Sequence, residues 1–272
     1  MAMSRRKRAQ LSRQLQYGAL AVGIILLIFL ADWETIDRAF LNIDAAAQMF
    51  PGIFTTALVN SIIYTALGFA VSLGLGLLFA LMKLSSVRPY RWIATAYIEF
   101  FRGIPVLLVV IAFGYGVPLA FGLKFDIYST AALSLGLIGG AYLAETFRAG
   151  ILAVPPGQVE AGRSLGMTPG RTLASITIPQ AFRIILPPMT NVLILLAKDS
   201  SLIYLLGLTR DQYELTKWGR EGLNATQSLT PILLAGLCYL LITIPLAYLS
   251  SYLERRTGRK HDRVEEGMWA TT

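Results

Sequence analysis

Long apolar runs alternate with short polar segments along this chain. The first run, about Tyr17 to Ala31, follows a basic stretch of Arg5, Arg6, Lys7, Arg8 and Arg13. The second is Phe54–Met82, opened by Pro51-Gly52. The third, Trp92–Phe121, holds Glu99, Arg102 and a Gly103-Ile104-Pro105 break. Tyr128–Leu152, Leu186–Leu208 and Leu229–Leu253 complete the set. Roughly 20 apolar residues in a helix cross a bilayer, so the pattern predicts an all-α membrane protein with about six transmembrane helices. The basic start and short core of the first run have the look of a signal peptide. No small-x-small cleavage site follows, only Asp32-Trp33-Glu34, so the first run is read as a retained span.

One polar stretch interrupts this pattern, Val159–Gln180 (VEAGRSLGMTPGRTLASITIPQ). Pro155-Pro156-Gly157 ends the span before it. Gln158–Leu165 can form two short helical turns, and Gly166 is placed to end them in the left-handed conformation. Thr168-Pro169 reads as an N-cap followed by proline at the first helical position, with a second helix running to Ile178, where Pro179 interrupts again. Ala161 and Gly162 give the first helix a slim face that another protein surface can approach closely. Glu160 puts a negative charge near the helix start, where the dipole favours it. The bland alternative is a solvated connector.

Composition narrows the class. The 272 residues are 55% hydrophobic and 15% charged, with mean hydropathy +0.58, against about 25% charge in soluble domains. The net charge of +8 is a topology signal, because the basic residues cluster at the ends and between the apolar runs. With the N-terminus in the cytoplasm, the inner segments hold the N-terminal cluster, Lys83, Arg88, Arg91, Arg148, Arg163, Arg171, Arg183, Arg255, Arg256, Arg259, Lys260 and Arg263. The outer segments hold only Arg38, Lys124, Arg210, Lys217 and Arg220. Both termini and the Val159–Gln180 stretch then lie in the cytoplasm, with Trp33 and Trp218 at outer boundaries and Trp92 at an inner one. No aromatic-plus-basic surface points to nucleic acid. The lone Cys238 sits in an apolar run and the lone His261 in the charged tail. That excludes an internal disulfide framework, a Cys/His metal site and a nucleophile–histidine constellation. The chain divides into residues 1–50 (basic start, first helix, outer linker), 51–253 (transmembrane domain with the 153–180 loop) and the tail 254–272. Thr209–Ser228 is the longest outer loop, with room for a small surface helix.

Glu160-Ala161-Gly162, three residues, Gly166, nine residues, then Ile176-Thr177-Ile178-Pro179 resembles the EAA loop of importer permeases of the ATP-binding cassette class. The family pattern is Glu-Ala-Ala, three residues, Gly, nine residues, Ile-x-Leu-Pro; here Gly162 replaces the second alanine and Ile178 the leucine. YIEFFRGIPVLLVV (97–110), AETFRAGILAVPPGQ (144–158) and LLAKDSSLIYLLGL (195–208) resemble the polar amino acid branch, so the likeness covers roughly Phe54–Leu253. The resemblance implies a type I importer transmembrane domain, five core helices plus one N-terminal, paired with a second permease chain. It also implies two separate ATPase subunits that bind ATP and Mg and dock the Glu160–Gly166 helix, and an extracytoplasmic binding protein that delivers the amino acid. This chain has no Gly-x4-Gly-Lys-Ser/Thr phosphate loop, so it is read as a non-catalytic subunit without a cofactor of its own.

A charge in a spanning segment costs at least about 2.5–3.5 kcal/mol and needs a reason. Lys198 and Asp199 fall near the middle of the fifth run, followed by Ser200 and Ser201. Neighbours on a helix point about 100° apart, so these two do not simply pair with each other. Either each pairs with another helix, or they face an amino acid that carries an amine and a carboxylate. Glu99 and Arg102 share a helix face at i,i+3, as do Glu145 and Arg148; both can be ion pairs, and Arg102, beside the break, is also a site candidate. Thr56, Asn60 and Tyr64, with Ser61 and Thr65, form a polar stripe that lines a pathway or bonds a neighbouring helix. Gly68, Gly74 and Gly76 suit close helix packing. The rival readings are an ion-driven secondary amino acid transporter, which leaves the EAA-like loop unexplained, a membrane enzyme, and a non-transporting anchor.

Overall fold

The computed structural model describes residues 5–123 and 125–269. Lys124 lies outside the described residues, as do the side chains of Arg5, Arg6, Lys7, Arg8, Arg259, Lys260, His261 and Arg263 and the last residues of the tail. The described chain is helical throughout. In order come α1 (Arg5–Leu30), α2 (Trp33–Phe40), α3 (Ile43–Ala47), a π turn (Ile53–Leu58) leading into α4 (Val59–Leu84), and α5 (Arg88–Gly103). Next are α6 (Val106–Ile111), a π turn (Ala112–Gly116), α7 (Val117–Phe121) and α8 (Ile127–Leu152). The second half holds α9 (Pro156–Ser164), α10 (Pro169–Thr172), a π turn (Leu173–Thr177), α11 (Ile178–Asp199), 3-10 turns at Ser200–Leu205 and Arg210–Gln212, α12 (Leu215–Thr226) and α13 (Thr230–Trp269).

Among the described residues five helical stretches are long and apolar enough to cross a membrane: Arg13–Leu30, Ile53–Leu84, Ile127–Leu152, Pro169–Leu205 and Thr230–Thr257. The third expected span departs from a straight helix. Arg88–Gly103 and Val106–Phe121 meet at 105°, and six spans result when this bent pair counts as one. The cause is local: Ile104 precedes proline and is driven to extended φ −92°, ψ 140°, and Pro105 has no N–H to continue the helix. A second departure concerns Pro179, expected to interrupt. It sits in the first turn of α11, and the π turn before it absorbs the mismatch, the Ile178 N–H reaching back to the Leu173 carbonyl, so Pro169–Leu205 runs as one helical rod.

In lipid, helices associate by close packing and hydrogen bonds, which favours small residues at the contact. α4 and α8 pack along their length in this way. A Cβ on Gly68 would lie 2.6 Å from Leu135 Cβ, one on Gly76 2.6 Å from Leu143 Cβ, and one on Gly139 2.2 Å from Ser72 Oγ. Gly74, expected to share this role, faces open space. α11 lies against α8 and α13. Its internal Pro187 cannot donate to the Arg183 carbonyl, and the Thr257 hydroxyl from α13 does so at 3.4 Å. α1 stands apart, with Leu27, Phe29 and Leu30 72–83% exposed. The α2–α3 segment is pinned to the start of α13: the Leu229 N–H donates to the Ala39 carbonyl at 2.7 Å and the Asn42 N–H to Thr230 Oγ1 at 3.0 Å. The bundle therefore presents two polar ends, one formed by α9–α10 and the other by Thr209–Ser228 with α12.

Candidate functional site

The α8–α11 connection is shaped by its breakers. Pro155 is extended and Pro156 opens α9 in the first turn, where a backbone donor would be unpaired anyway. α9 ends in a Schellman closure: the Met167 N–H bonds to the Gly162 carbonyl at 3.1 Å, the Gly166 N–H to the Arg163 carbonyl at 3.0 Å, and Gly166 takes φ +81°. The Arg163 guanidinium donates to the Met167 carbonyl at 2.6 Å. Thr168 caps α10, accepting from the Arg171 N–H at 3.4 Å. Glu160 and Ala161 are exposed, Ile176 is half-buried and Pro179 exposed. Gly162 corrects the sequence reading. It is buried and faces its own loop, where a Cβ would lie 2.6 Å from Ile176 Cδ1, so the slim outer surface belongs to Ala161. Leu165, which sequence reasoning passed over, is 84% exposed beside an open recess of about 380 Å³ bounded by Gly166, Met167, Thr168 and Arg171. A large apolar side chain next to the turn glycine of a polar stretch was its signal. This end therefore offers a self-closed, exposed helix joined without a flexible linker to the Pro169–Leu205 rod.

The second candidate region is where α11 gives way to a 3-10 turn after Asp199. Lys198 is exposed and Asp199 half-buried, and among the described residues no ion pair joins them. Asp199 Oδ2 is buried without a hydrogen-bond partner among the described residues. Ser200 is buried and its hydroxyl returns to the Ala197 carbonyl at 2.8 Å, while Ser201 is half-buried. Arg102 and Glu99 are exposed and unpaired with each other; the Arg102 guanidinium lies 5.6 Å from the centre of the Tyr142 ring instead. Tyr142 packs on the cluster of Leu135, Leu143, Val192 and Leu196, so Arg102 and the Lys198–Asp199 step are anchored to one hydrophobic group. Glu145 and Arg148 do pair, at 2.8 Å, and Lys83 joins them from α4 at 2.5 Å, a member that sequence reasoning missed. Among the described residues no group of His, Cys, Asp and Glu converges as a metal site.

Of the polar stripe on α4, Asn60 is 5% exposed and donates to the carbonyls of Asp211 (2.7 Å) and Tyr213 (3.0 Å). Two more members of the stripe follow: the Tyr64 hydroxyl donates to the Gln212 carbonyl at 2.8 Å, and Ser61 Oγ accepts the Leu215 N–H at 3.1 Å, whereas Thr65 returns to the Ser61 carbonyl within α4 at 2.6 Å. The stripe thus stitches residues 211–215 onto α4. At the centre of this connection Glu214 caps α12, its carboxylate accepting the Thr216 and Lys217 N–H groups at 2.6 Å each. It is fully buried, and burial pushes its carboxyl up to about 7 against the opposing pull of its hydrogen bonds from the Thr216 and Lys217 amides and Tyr239.

Residues 72–259 match the family described as binding-protein-dependent transport system inner membrane component. The L-cystine transport system permease protein TcyB of Bacillus subtilis is 36% identical over 219 residues, 79% of this chain and 91% of that one. The glutamate/aspartate import permease protein GltK of Escherichia coli O6:H1 is 36% identical over 199 residues, 70% of this chain and 87% of that one. A crystal structure of an amino acid ABC transporter with histidines superposes with TM-score 0.69 at 32% identity, covering 80% of this chain and 98% of that chain.

Proposed function

The chain belongs to the family of inner membrane components of binding-protein-dependent transport systems, as a permease subunit of an ATP-binding cassette importer, and from that premise we propose that it moves a polar amino acid across a bacterial cytoplasmic membrane. The observation that carries the coupling half of this reading is α9, an exposed helix closed on itself and joined by a short turn to a spanning rod. With α9 and both termini in the cytoplasm, Glu160, Ala161 and Leu165 meet a groove on a separate ATPase subunit, which holds ATP and Mg. Gly162, Gly166 and Ile176 keep the loop rigid, and Pro179 lies where α10 and the π turn hand the movement to α11. A second permease chain completes the pathway, and an extracytoplasmic binding protein delivers the substrate on the α12 side. ATP binding closes the ATPase pair and swings the spans by alternating access.

For the substrate, names borne by relatives (L-cystine, glutamate/aspartate) support the amino acid class. Any such ligand carries an ammonium and a carboxylate. Asp199, with an unpartnered buried oxygen, suits the ammonium, and Lys198 suits the carboxylate. Arg102 and Glu99 stand at the neighbouring helix break as selectors of the side chain. Asn60, whose amide nitrogen is already bonded, and Ser200, whose hydroxyl is, serve the architecture. The test is to express the chain with its ATPase and binding-protein partners, pull on a tag here, and assay ATP hydrolysis with a panel of amino acids. Co-purification with stimulation by one amino acid is expected. Asp199→Asn or Lys198→Ala is expected to lower uptake at least about tenfold, the loss of one charge-assisted contact of about 1.5–3 kcal/mol, with assembly unchanged. Uptake down an ion gradient by the chain alone, with no ATPase bound, overturns the reading.

A further inference from the structure

Glu214 is a buried acid for which transport as described has no use. Its Oε2 has two acceptor positions. One takes the Thr216 amide; the other takes the Tyr239 hydroxyl of α13 at 2.8 Å. The Tyr239 oxygen also lies 3.3 Å from Thr216 Oγ1. A proton added at the second position makes Glu214 the donor to Tyr239, whose own hydrogen then turns to Thr216 Oγ1. Both protonation states keep every polar atom of this chain of groups partnered, and only hydroxyl hydrogens move between them.

The surroundings suit the neutral acid. Among the described residues no cation faces the carboxyl. The Lys217 ammonium pairs with Glu221 at 2.7 Å, Arg210 lies over the Trp218 ring, and Arg220 lies over the Tyr204 ring. The titratable groups on the packed elements are Tyr239 of α13, Tyr64 of α4 and Asp211 of the 3-10 turn, none of them positive at neutral pH. The carboxyl ties α12 to α13, and the adjoining Leu215 N–H ties the same segment to α4.

We propose that Glu214, Tyr239 and Thr216 form a reversible proton-binding site that fills when α12 and α13 pack together and empties when they part and water reaches the carboxylate. One carboxylate takes one proton and returns it to the same side, so the cycle carries no net proton across the membrane. The movement rests on the permease reading; the site does not. Acid on the α12 side then holds that end closed and slows turnover, because the protonated form belongs to the packed state.

The experiment has two parts on the full complex, the first in proteoliposomes and the second in detergent. Amino-acid-stimulated ATP hydrolysis is measured with the pH on the α12 side varied around about 7. The wild type is expected to slow severalfold on the acid side and Glu214→Gln to give a flat profile; superimposable profiles overturn the proposal. Infrared difference spectra between acid and alkaline samples are expected to show a protonated-carboxyl band that titrates near neutrality, is absent in Glu214→Gln and shifts its midpoint in Tyr239→Phe. If Glu214→Gln fails to assemble, Tyr239→Phe decides, and an unmoved midpoint overturns the proposal. A titrating Glu214 band in a complex whose hydrolysis no amino acid stimulates supports the proton site while sinking the permease reading.

Discussion

The two polar ends of this bundle are made in opposite ways. The α9–α10 connection closes its hydrogen bonds on itself and leaves Glu160, Ala161, Arg163 and Leu165 exposed. The Thr209–Ser228 connection buries its acid and gives its backbone to other helices: Asn60, Ser61 and Tyr64 reach it from α4 and Tyr239 from α13. One end is a rigid piece presented to a partner; the other is a fastening between spans. Substitutions at the first should therefore damage association and leave the fold, while substitutions at the second should damage the fold first.

The largest effect is expected at the exposed end. Glu160→Lys reverses the charge on a surface that a partner buries, and like-charge contacts at interfaces cost several kcal/mol. Co-purified ATPase and uptake are both expected to fall at least about tenfold, with the thermal midpoint of the permease unchanged. Normal co-purification and uptake would remove Glu160 from the docking surface. At the fastened end Asn60→Leu leaves the carbonyls of Asp211 and Tyr213 without their donor. Each of these part-buried hydrogen bonds contributes about 0.5–1.5 kcal/mol, so the midpoint in detergent is expected to drop clearly, with ATPase docking retained. An unchanged midpoint would mean that the stripe is not a fastening.

A smaller effect separates the ends by pH. The Glu214 carboxyl is raised from 4.5 to about 7 in the folded chain. The folded state thus holds a proton that the unfolded state has released, and stability is full below 4.5, falls as pH rises towards about 7, and is flat above. The thermal midpoint is expected to decline over that window and to lose the decline in Glu214→Gln. A wild-type midpoint constant through the window would mean that the carboxylate is not as isolated as its burial implies.

What the sequence made legible divides along the same line. Apolar run length located the spans, and Pro156, Gly166, Thr168 and Pro169 marked the α9–α10 connection, because each acts through its own backbone. The Gly103-Ile104-Pro105 break was readable for that reason too, although the angle of 105° was not, since it depends on what each half packs against. The fastened end was opaque. Asn60 finds its partners some 150 residues away and Lys83 finds Glu145 across 62, and no local pattern encodes such pairings. Glu214 reads as one more polar loop residue until Tyr239 and the burial around it are placed. Gly162 was seen as special, but its facing inward depends on Ile176, which lies on the far side of the turn.

Gly162 also gives the smallest and most discriminating test. An alanine there regains up to about 1 kcal/mol of helix propensity, and its Cβ would meet the Ile176 Cδ1 at 2.6 Å. That atom is the free end of a side chain and can turn aside, so the two terms nearly cancel. Gly162→Ala is expected to leave docking and uptake within about twofold, and Gly162→Ala with Ile176→Val, which removes the colliding methyl, to be slightly more stable than the wild type. Gly162→Val adds a second branch against Thr172 Cγ2, 3.3 Å from that Cβ, and is expected to loosen the loop and lower coupling. If Gly162→Ala instead abolishes docking while the thermal midpoint holds, the glycine faces a partner after all. The exposed end would then lack the self-closed rigidity that sets it apart from the fastened one.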